Sequence, residues 1–92
     1  MIVFHITDRA AWHQAVAAGT YRAPSLDTEG FIHCSTREQI PGTLARFFAG
    51  RTDLVLLFID ETRTGAELRW EDGFPHLYGP LPVNAVVDVT DL

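Results

Sequence analysis

One unbroken apolar run constrains the fold of this chain more than any other feature of its sequence. The residues from Leu54 to Ile59 are all large and apolar, and a strand of this kind has to be covered on both faces. The chain has 92 residues, 47% of them hydrophobic, which is enough for one compact core but not for two. We therefore predict a single domain over residues 1–92 that contains this central strand.

The rest of the chain contains weaker strand and helix patterns. Residues 2–7 alternate apolar and polar side chains, which predicts a strand. A helix is predicted over residues 9–18, with Thr7 or Asp8 as its N-cap and Gly19 just after its end. The other predicted elements are a loop over 20–30, a short strand over 31–34, a strand over 66–71, a rigid segment over 74–80 and a strand over 83–89. This order favours an α+β fold.

A second helix is predicted after residue 35. Ser35 and Glu38 have the spacing of a capping box, in which the serine caps the helix. Pro41 and Gly42 interrupt the pattern, so we expect the helix to restart there with Pro41 in its first turn. Its core face is predicted to consist of four apolar residues, Ile40, Leu44, Phe47 and Phe48.

The charge and the single cysteine exclude several classes of function. The net charge is −5, and the 7 basic residues are arginines scattered along the chain. They form no basic face for duplex nucleic acid, although one arginine is enough to bind one phosphate. No apolar run approaches the ~20 residues that span a bilayer, and no leader is recognisable. Cys34 has no disulfide partner. We therefore expect a cytoplasmic protein that binds neither duplex nucleic acid nor a membrane.

Two short segments repeat a histidine followed two residues later by a hydroxyl. They are His5-Ile6-Thr7 and His33-Cys34-Ser35. Residues two apart in a strand share a face, so each histidine is expected to stand beside its own hydroxyl, away from Cys34 in the second case. The pattern predicts one polar cleft for a small anionic or ribose-containing ligand. In it the histidines act as hydrogen-bond donors or proton carriers, and Thr7 and Ser35 hold a ligand oxygen.

Two later segments add candidate ligand-binding groups. Arg69 and Glu71 share a strand face, so one can bind an anion while the other acts as a base or anchors a ribose. His76 and Tyr78 share a face if their proline-rich segment is extended, and could then support a nucleobase. The structural alternatives are a surface ion pair between Arg69 and Glu71, a rigid turn at 74–80, and histidines satisfied by backbone carbonyls.

Three segments are typical of one family: GFIHCST over 30–36, RWE over 69–71 and FPHLYGPLP over 74–82. In these segments, and over essentially the whole chain, the sequence resembles the small bacterial domain-of-unknown-function family 952. The resemblance implies a fold related to ADP-ribosyltransferases. In that fold a bent, split mixed sheet with two main helices holds NAD in a central cleft.

The resemblance also implies roles for individual residues. His5, with Thr7 two residues on, matches the first-strand histidine that holds the NAD ribose in ADP-ribosyltransferases. His33 matches the second cleft histidine of the tRNA 2′-phosphotransferase branch, and Glu71 is the candidate for the late catalytic acid. The prediction is a transferase-like protein that binds NAD, ADP-ribose or a related nucleotide. Its predicted catalytic residues are His5, His33 and Glu71, and its predicted ligand-binding residues are Thr7, Ser35, Arg69, His76 and Tyr78.

Three other interpretations stay open. A two-histidine phosphoesterase would use one imidazole as base and the other as acid on a cyclic or 2′-linked phosphate. A zinc site could use four side chains as ligands, those of His5, His33, His76 and Glu71. A binding module without catalysis would present an exposed apolar face, for which the segment from Pro75 to Pro82 is the best candidate.

Overall fold

A computed structural model describes all residues from Met1 to Leu92. The three helices are α1 (Arg9–Ala18), α2 (Pro24–Thr28) and α3 (Ile40–Phe47). The eight strands are β1 (Ile2–Asp8), β2 (Thr20–Tyr21), β3 (Ile32–His33), β4 (Leu54–Asp60), β5 (Glu67–Glu71), β6 (Phe74–Tyr78), β7 (Leu81–Pro82) and β8 (Val86–Asp91). Short 3₁₀ turns lie at Arg37–Gln39, Glu61–Arg63 and Val83–Ala85.

The strands form three small sheets, in the orders β1-β4-β8, β2-β7 and β3-β6-β5. Every strand pair is antiparallel. The α+β fold class is thus confirmed, whereas the expected mixed sheet is wrong, because no two neighbouring strands run in the same direction; only β5 and β6 are joined by a tight turn, and the other pairs bring together distant segments of the chain. None of the helices has the length and apolar character needed to cross a membrane.

The predicted central strand is β4, which pairs with β1 on one side and β8 on the other. Its side chains alternate between two apolar clusters. Val55, Leu57 and Ile59 belong to the larger cluster, and Leu54 and Leu56 belong to the smaller one. The apolar run therefore has no polar face because both of its faces are covered.

Helix α1 has the predicted ends, and its caps explain them. The Asp8 carboxylate accepts a hydrogen bond of 2.7 Å from the Ala11 N–H, which satisfies a donor in the first helical turn. Gly19 adopts a left-handed conformation with φ of 85° and donates its N–H to the Ala15 carbonyl. A glycine is suited to this position because it has no Cβ to clash.

Three predictions around α3 and the preceding loop are wrong. Residues 20–30 are not a plain loop, since they contain β2 and α2. Thr36 caps the 3₁₀ turn Arg37–Gln39 that leads into α3, in a capping box in which its N–H donates to Gln39 Oε1 at 2.9 Å. Ser35 is not the cap: its N–H and C=O exchange hydrogen bonds with Phe4, and its hydroxyl lies against Thr43 and accepts no N–H of the turn. Phe47 is not a core residue but 69% exposed, while Phe48, just past the helix, packs against the smaller cluster.

The proline-rich segment forms β6, the middle strand of its sheet, and not a turn. Its buried residues Pro75 and Leu77 face the core, so Phe74, His76 and Tyr78 lie on the opposite face. The register brings His33 of β3 and Arg69 of β5 to either side of His76. The expectation that His76 and Tyr78 share a face is confirmed.

Candidate functional site

A cleft of about 790 Å³ opens where the bridge between Phe4 and Ser35 joins the β1 sheet to the β3 sheet. The predicted site residues that line it come from four separate strands or their ends: His5, Thr7, His33, Ser35, Glu71 and His76. Arg69 and Tyr78 do not line it. The structure therefore brings the two histidine-hydroxyl segments to one hollow, together with Glu71.

His5 is the sealed histidine of the cleft, with 8% of its surface exposed. Its Nδ1 lies 2.6 Å from the His33 carbonyl oxygen, and its Nε2 lies 2.8 Å from the Tyr21 hydroxyl. A carbonyl oxygen only accepts, so Nδ1 carries the proton and Nε2 accepts from Tyr21. Burial lowers the pKa of His5 to about 4, which keeps the ring neutral at pH 7. His5 was expected to be a proton carrier, but both of its nitrogens already have protein partners.

Thr7 is also held within the protein. Its hydroxyl shares a hydrogen bond of 3.1 Å with the Tyr21 hydroxyl, and Thr7 is buried. Burial is also the main cause that raises the pKa of Tyr21. The three side chains of His5, Thr7 and Tyr21 thus form one hydrogen-bonded unit that fixes β1 to β2 and, through the His33 carbonyl, to β3.

His33 stands in the open part of the cleft. Its side chain is 53% exposed, and its Nε2 lies 2.9 Å from the Glu29 carboxylate, four residues earlier in the chain. The Phe31 ring packs edge-on against it with centroids 4.8 Å apart. The ring of His33 is therefore accessible to a ligand, whereas its backbone carbonyl is the group that anchors His5.

Glu71 is the centre of a second group of polar side chains. One of its carboxylate oxygens accepts hydrogen bonds from the Tyr78 hydroxyl at 2.5 Å and from His76 Nδ1 at 2.8 Å. These two bonds, that of Tyr78 first, lower the pKa of Glu71, and the same bond raises the pKa of Tyr78. Glu71 is consequently an ionised carboxylate beside a neutral phenol at pH 7.

His76 keeps one nitrogen free. Its Nδ1 is bonded to Glu71, and its Nε2 makes no hydrogen bond within the protein. No side-chain nitrogen or oxygen is fully buried without a partner, so Nε2 keeps some contact with solvent although the His76 side chain is only 13% exposed. The Phe31 ring stacks on the imidazole at 4.0 Å and an angle of 14°, which holds the ring in place.

Arg69 and Ser35 have partners that the sequence did not indicate. Arg69 forms an ion pair with Glu67 at 3.0 Å, not with Glu71, and lies over the Tyr78 ring. Ser35 Oγ lies 3.4 Å from Thr43 Oγ1, at the start of α3. Ser35 and Thr43 thus line the cleft together as a pair of hydroxyls, and Ser35 does not cap a helix.

Several cleft residues were missed by the sequence reasoning. They include the partners of the two open imidazoles, two arginines and two exposed aromatic rings: Glu29, Phe31, Arg46, Arg51, Phe47 and Phe74. Phe31 could have been found, because it lies two residues before His33 at the start of the predicted strand, whereas Glu29 precedes that strand and no periodic pattern relates it to His33. The other four reach the cleft through the packing of α3 and β6, and no local pattern identifies them.

Two chemistries are disfavoured by the geometry. No three His, Cys, Asp or Glu side chains are close enough to hold one metal ion, so the four proposed zinc ligands His5, His33, His76 and Glu71 do not form a zinc site. Cys34 is buried, and burial raises the pKa of its thiol to about 12. A protonated, buried thiol is not a nucleophile.

The comparisons with known proteins agree with the sequence motifs. Residues 6–89 match the family described as Protein of unknown function (DUF952). A search of the curated proteins finds no match. The crystal structure of protein CC0527 from Caulobacter crescentus is similar, at 39% identity and a TM-score of 0.90, over 100% of this chain and 86% of that one.

Two other structures of CC0527 give the same result. The crystal structure of a double mutant has a TM-score of 0.89, again over 100% of this chain and 86% of that one. The solution NMR structure has a TM-score of 0.85 over 99% of this chain and 84% of that one. Both are 39% identical in sequence. The chain belongs to the DUF952 family of proteins of unknown function.

Proposed function

We propose that the cleft binds NAD, ADP-ribose or a related nucleotide, as ligand or substrate of a transferase of the ADP-ribosyltransferase or 2′-phosphotransferase kind. The observation that carries the proposal is the convergence of His33, His76 and Glu71 on one open cleft of about 790 Å³. Small-molecule sites have volumes of about 300–1,000 Å³. The relation to ADP-ribosyltransferases that we expect for the fold of this family favours the same class of ligand.

The cleft offers groups for each part of such a ligand. Phe47 and Phe74 are 69% and 38% exposed in its lining, which provides apolar rings for a base or a nicotinamide. Arg46 also lines the cleft and forms no ion pair, so its guanidinium is available for a phosphate. Arg51 is the second cleft arginine, but it is already paired with Asp53.

In the transfer reaction Glu71 is the charge-stabilising residue. Breaking the glycosidic bond of NAD leaves positive charge on the ribose, and a fixed carboxylate stabilises that charge. The hydrogen bonds from Tyr78 and His76 hold Glu71 in place and lower its pKa, so the carboxylate is ionised before the ligand arrives. In this proposal His5 and Thr7 position the cleft wall, and Ser35, which also lines the cleft, contacts the ligand.

The charges of the cleft favour a small ligand over a polymer. Four carboxylates, those of Asp8, Glu29, Glu71 and Asp72, line it beside two arginines, and the whole chain carries a charge of −5. Such a surface repels a polyanion such as duplex nucleic acid or an anionic membrane. The single buried thiol fits the reducing cytoplasm, which we propose as its compartment.

The binding part of the proposal is tested by an NMR titration with NAD and with ADP-ribose. The imidazole resonances of His33 and His76 are expected to shift in a saturable way. His13, exposed on α1 and outside the cleft, is the internal control whose resonance stays unchanged. Unchanged resonances of both cleft imidazoles at millimolar NAD and ADP-ribose would refute the proposal.

The catalytic part is tested with Glu71→Gln, which keeps the shape of the side chain and removes its charge. Release of nicotinamide from NAD should fall by about 100-fold or more, while NAD binding is retained. Glu67→Gln is the matched control, because Glu67 is on the same strand and face but outside the cleft. Equal nicotinamide release by the two variants would rule out the role given to Glu71.

A further inference from the structure

Two carboxylate-imidazole pairs stand side by side in the cleft. His33 Nε2 lies 2.9 Å from Glu29, and His76 Nδ1 lies 2.8 Å from Glu71. The two imidazole centroids are 5.3 Å apart, with their planes at 79°. Because His33 and His76 are directly opposed across β3 and β6, the backbone register fixes this distance.

We propose that His33 and His76 form the general acid-base pair of a hydrolase acting on ribose 2′,3′-cyclic phosphodiesters. This activity goes beyond the nucleotide binding and transfer proposed above and does not require them. The sequence pattern paired His33 with His5 for such chemistry. His5 cannot take part, since both of its nitrogens are bonded within the protein. The structure supplies His76 in its place.

Each pair has one nitrogen to offer a substrate. The carboxylates occupy Nε2 of His33 and Nδ1 of His76, which leaves His33 Nδ1 and His76 Nε2 without a protein partner. The carboxylate orients each ring and stabilises the imidazolium that forms during proton transfer, as in other carboxylate-histidine pairs. Both rings line the cleft, so one bound group can reach both.

The surroundings of the pair suit a nucleotide with one phosphate charge. Of the four cleft carboxylates, Asp8 caps α1, Glu29 and Glu71 are bonded to the histidines, and Asp72 alone has no bonded partner. Arg46 is the cleft arginine without an ion pair, and it can compensate the single negative charge of a cyclic phosphodiester. Exposed Phe47 in the same lining provides a surface for the base.

The proposed reaction uses both imidazoles in one step. A water molecule attacks phosphorus, and Nε2 of His76 takes its proton as the new phosphorus–oxygen bond forms. The bond from phosphorus to one ribose oxygen breaks, and the protonated Nδ1 of His33 donates a proton to that oxygen. The products are a nucleoside monophosphate and a free ribose hydroxyl, and solvent then exchanges the proton between the rings. His33 is the acid because its exposed ring is reloaded directly from water.

The experiment incubates the full chain with 2′,3′-cyclic AMP and 2′,3′-cyclic CMP and follows monophosphate formation by ³¹P NMR. His33→Asn and His76→Asn should each lower the rate by about 100-fold or more, which is the usual contribution of one acid or base. His13→Asn is the matched control outside the cleft and should keep the wild-type rate. Glu29→Gln removes the carboxylate that orients His33 and should also lower the rate. Because the Glu29 side chain is exposed, this replacement does not threaten folding.

The outcomes separate this inference from the proposed function. Turnover that depends on both histidines and on Glu29 supports the acid-base pair. No monophosphate above the buffer rate, or a wild-type rate in either histidine variant, overturns it. If NAD or ADP-ribose binds but no cyclic phosphate is hydrolysed, only this inference fails. If cyclic phosphates are hydrolysed but neither nucleotide binds, only the NAD proposal fails.

Discussion

His5 and His33 occupy the same place in the same local pattern, yet the structure gives them opposite surroundings. His5 is 8% exposed with both nitrogens bonded, and burial lowers its pKa to about 4. The side chain of His33 is 53% exposed, and a carboxylate that is itself 49% exposed holds one of its nitrogens. The first histidine holds the cleft together, and the second is free to meet a ligand.

The difference arises from what covers each strand and not from the strands themselves. Alternation along a strand decides which face a side chain occupies. Whether that face is open depends on a third element. Over His5 this element is β2, which brings the Tyr21 hydroxyl to Nε2, whereas no element lies over His33 in the same way. A repeated motif therefore identifies a shared cleft without identifying the chemistry of each member.

The largest expected effect on stability comes from replacing the sealed histidine. His5→Asn should lower the free energy of unfolding by about 3 kcal/mol, because the His33 carbonyl and the Tyr21 hydroxyl lose their buried partner. His33→Asn changes an exposed side chain and should stay within about 0.5 kcal/mol of the wild type. Urea denaturation of both variants measures the contrast. If both variants lost the same free energy of unfolding, the contrast between a sealed His5 and an open His33 would be refuted.

The second largest effect is a pH dependence of stability that the titration of His5 causes. Its pKa is about 4 in the folded chain against 6.5 for the ordinary group, so the unfolded chain binds a proton first as the pH falls. Stability is complete above about pH 6.5 and decreases down to about pH 4. Between about pH 7.5 and pH 5 the loss should be about 2 kcal/mol, at 1.36 kcal/mol for each pKa unit.

The control for this slope is another histidine. His13→Asn should keep the slope, because His13 is exposed on α1. His5→Asn should abolish most of it. The range above pH 5 separates His5 from the carboxylates whose pKa values are lowered, such as Glu71 and Asp60, because these titrate at lower pH. An unchanged slope in His5→Asn would contradict the assignment.

The elements that the sequence predicted correctly are those with complete local signals. β1 and α1 carry an alternating pattern, the cap at Asp8 and the glycine at Gly19, and β4 is a continuous apolar run. β2 was missed because it has only two residues and exists through its pairing with β7, far along the chain. The cap at Thr36 was assigned one residue too early, since the bridge from Ser35 to Phe4 is also a long-range contact.

The same distinction applies to the candidate site. The sequence grouped residues correctly where they share a strand face, as His76 and Tyr78 do. It could not predict that the register of β3 and β6 places His33 opposite His76. It also placed Phe47 in the core from its helical spacing, whereas the ring lies in the cleft. Local periodicity predicts which face of a strand a side chain occupies. Which side chains lie next to that face depends on how distant segments pair, and the local pattern does not show this.

The smallest effect compares two tyrosine hydroxyls: that of Tyr21, which is bonded to the sealed His5, and that of Tyr78, which is bonded to Glu71 beside His76. Tyr21→Phe removes the only donor to His5 Nε2 in a buried site and should cost about 1–2 kcal/mol of unfolding free energy. Tyr78→Phe removes a donor to Glu71, which is accessible to water, so stability should hardly change. Its effect should instead be a rise in the pKa of Glu71, measured by NMR, because the Tyr78 hydrogen bond is the main cause that lowers it. If Tyr78→Phe destabilised the chain as much as Tyr21→Phe, the Glu71 group would be a structural unit like that of His5, and its role in catalysis would lose its basis.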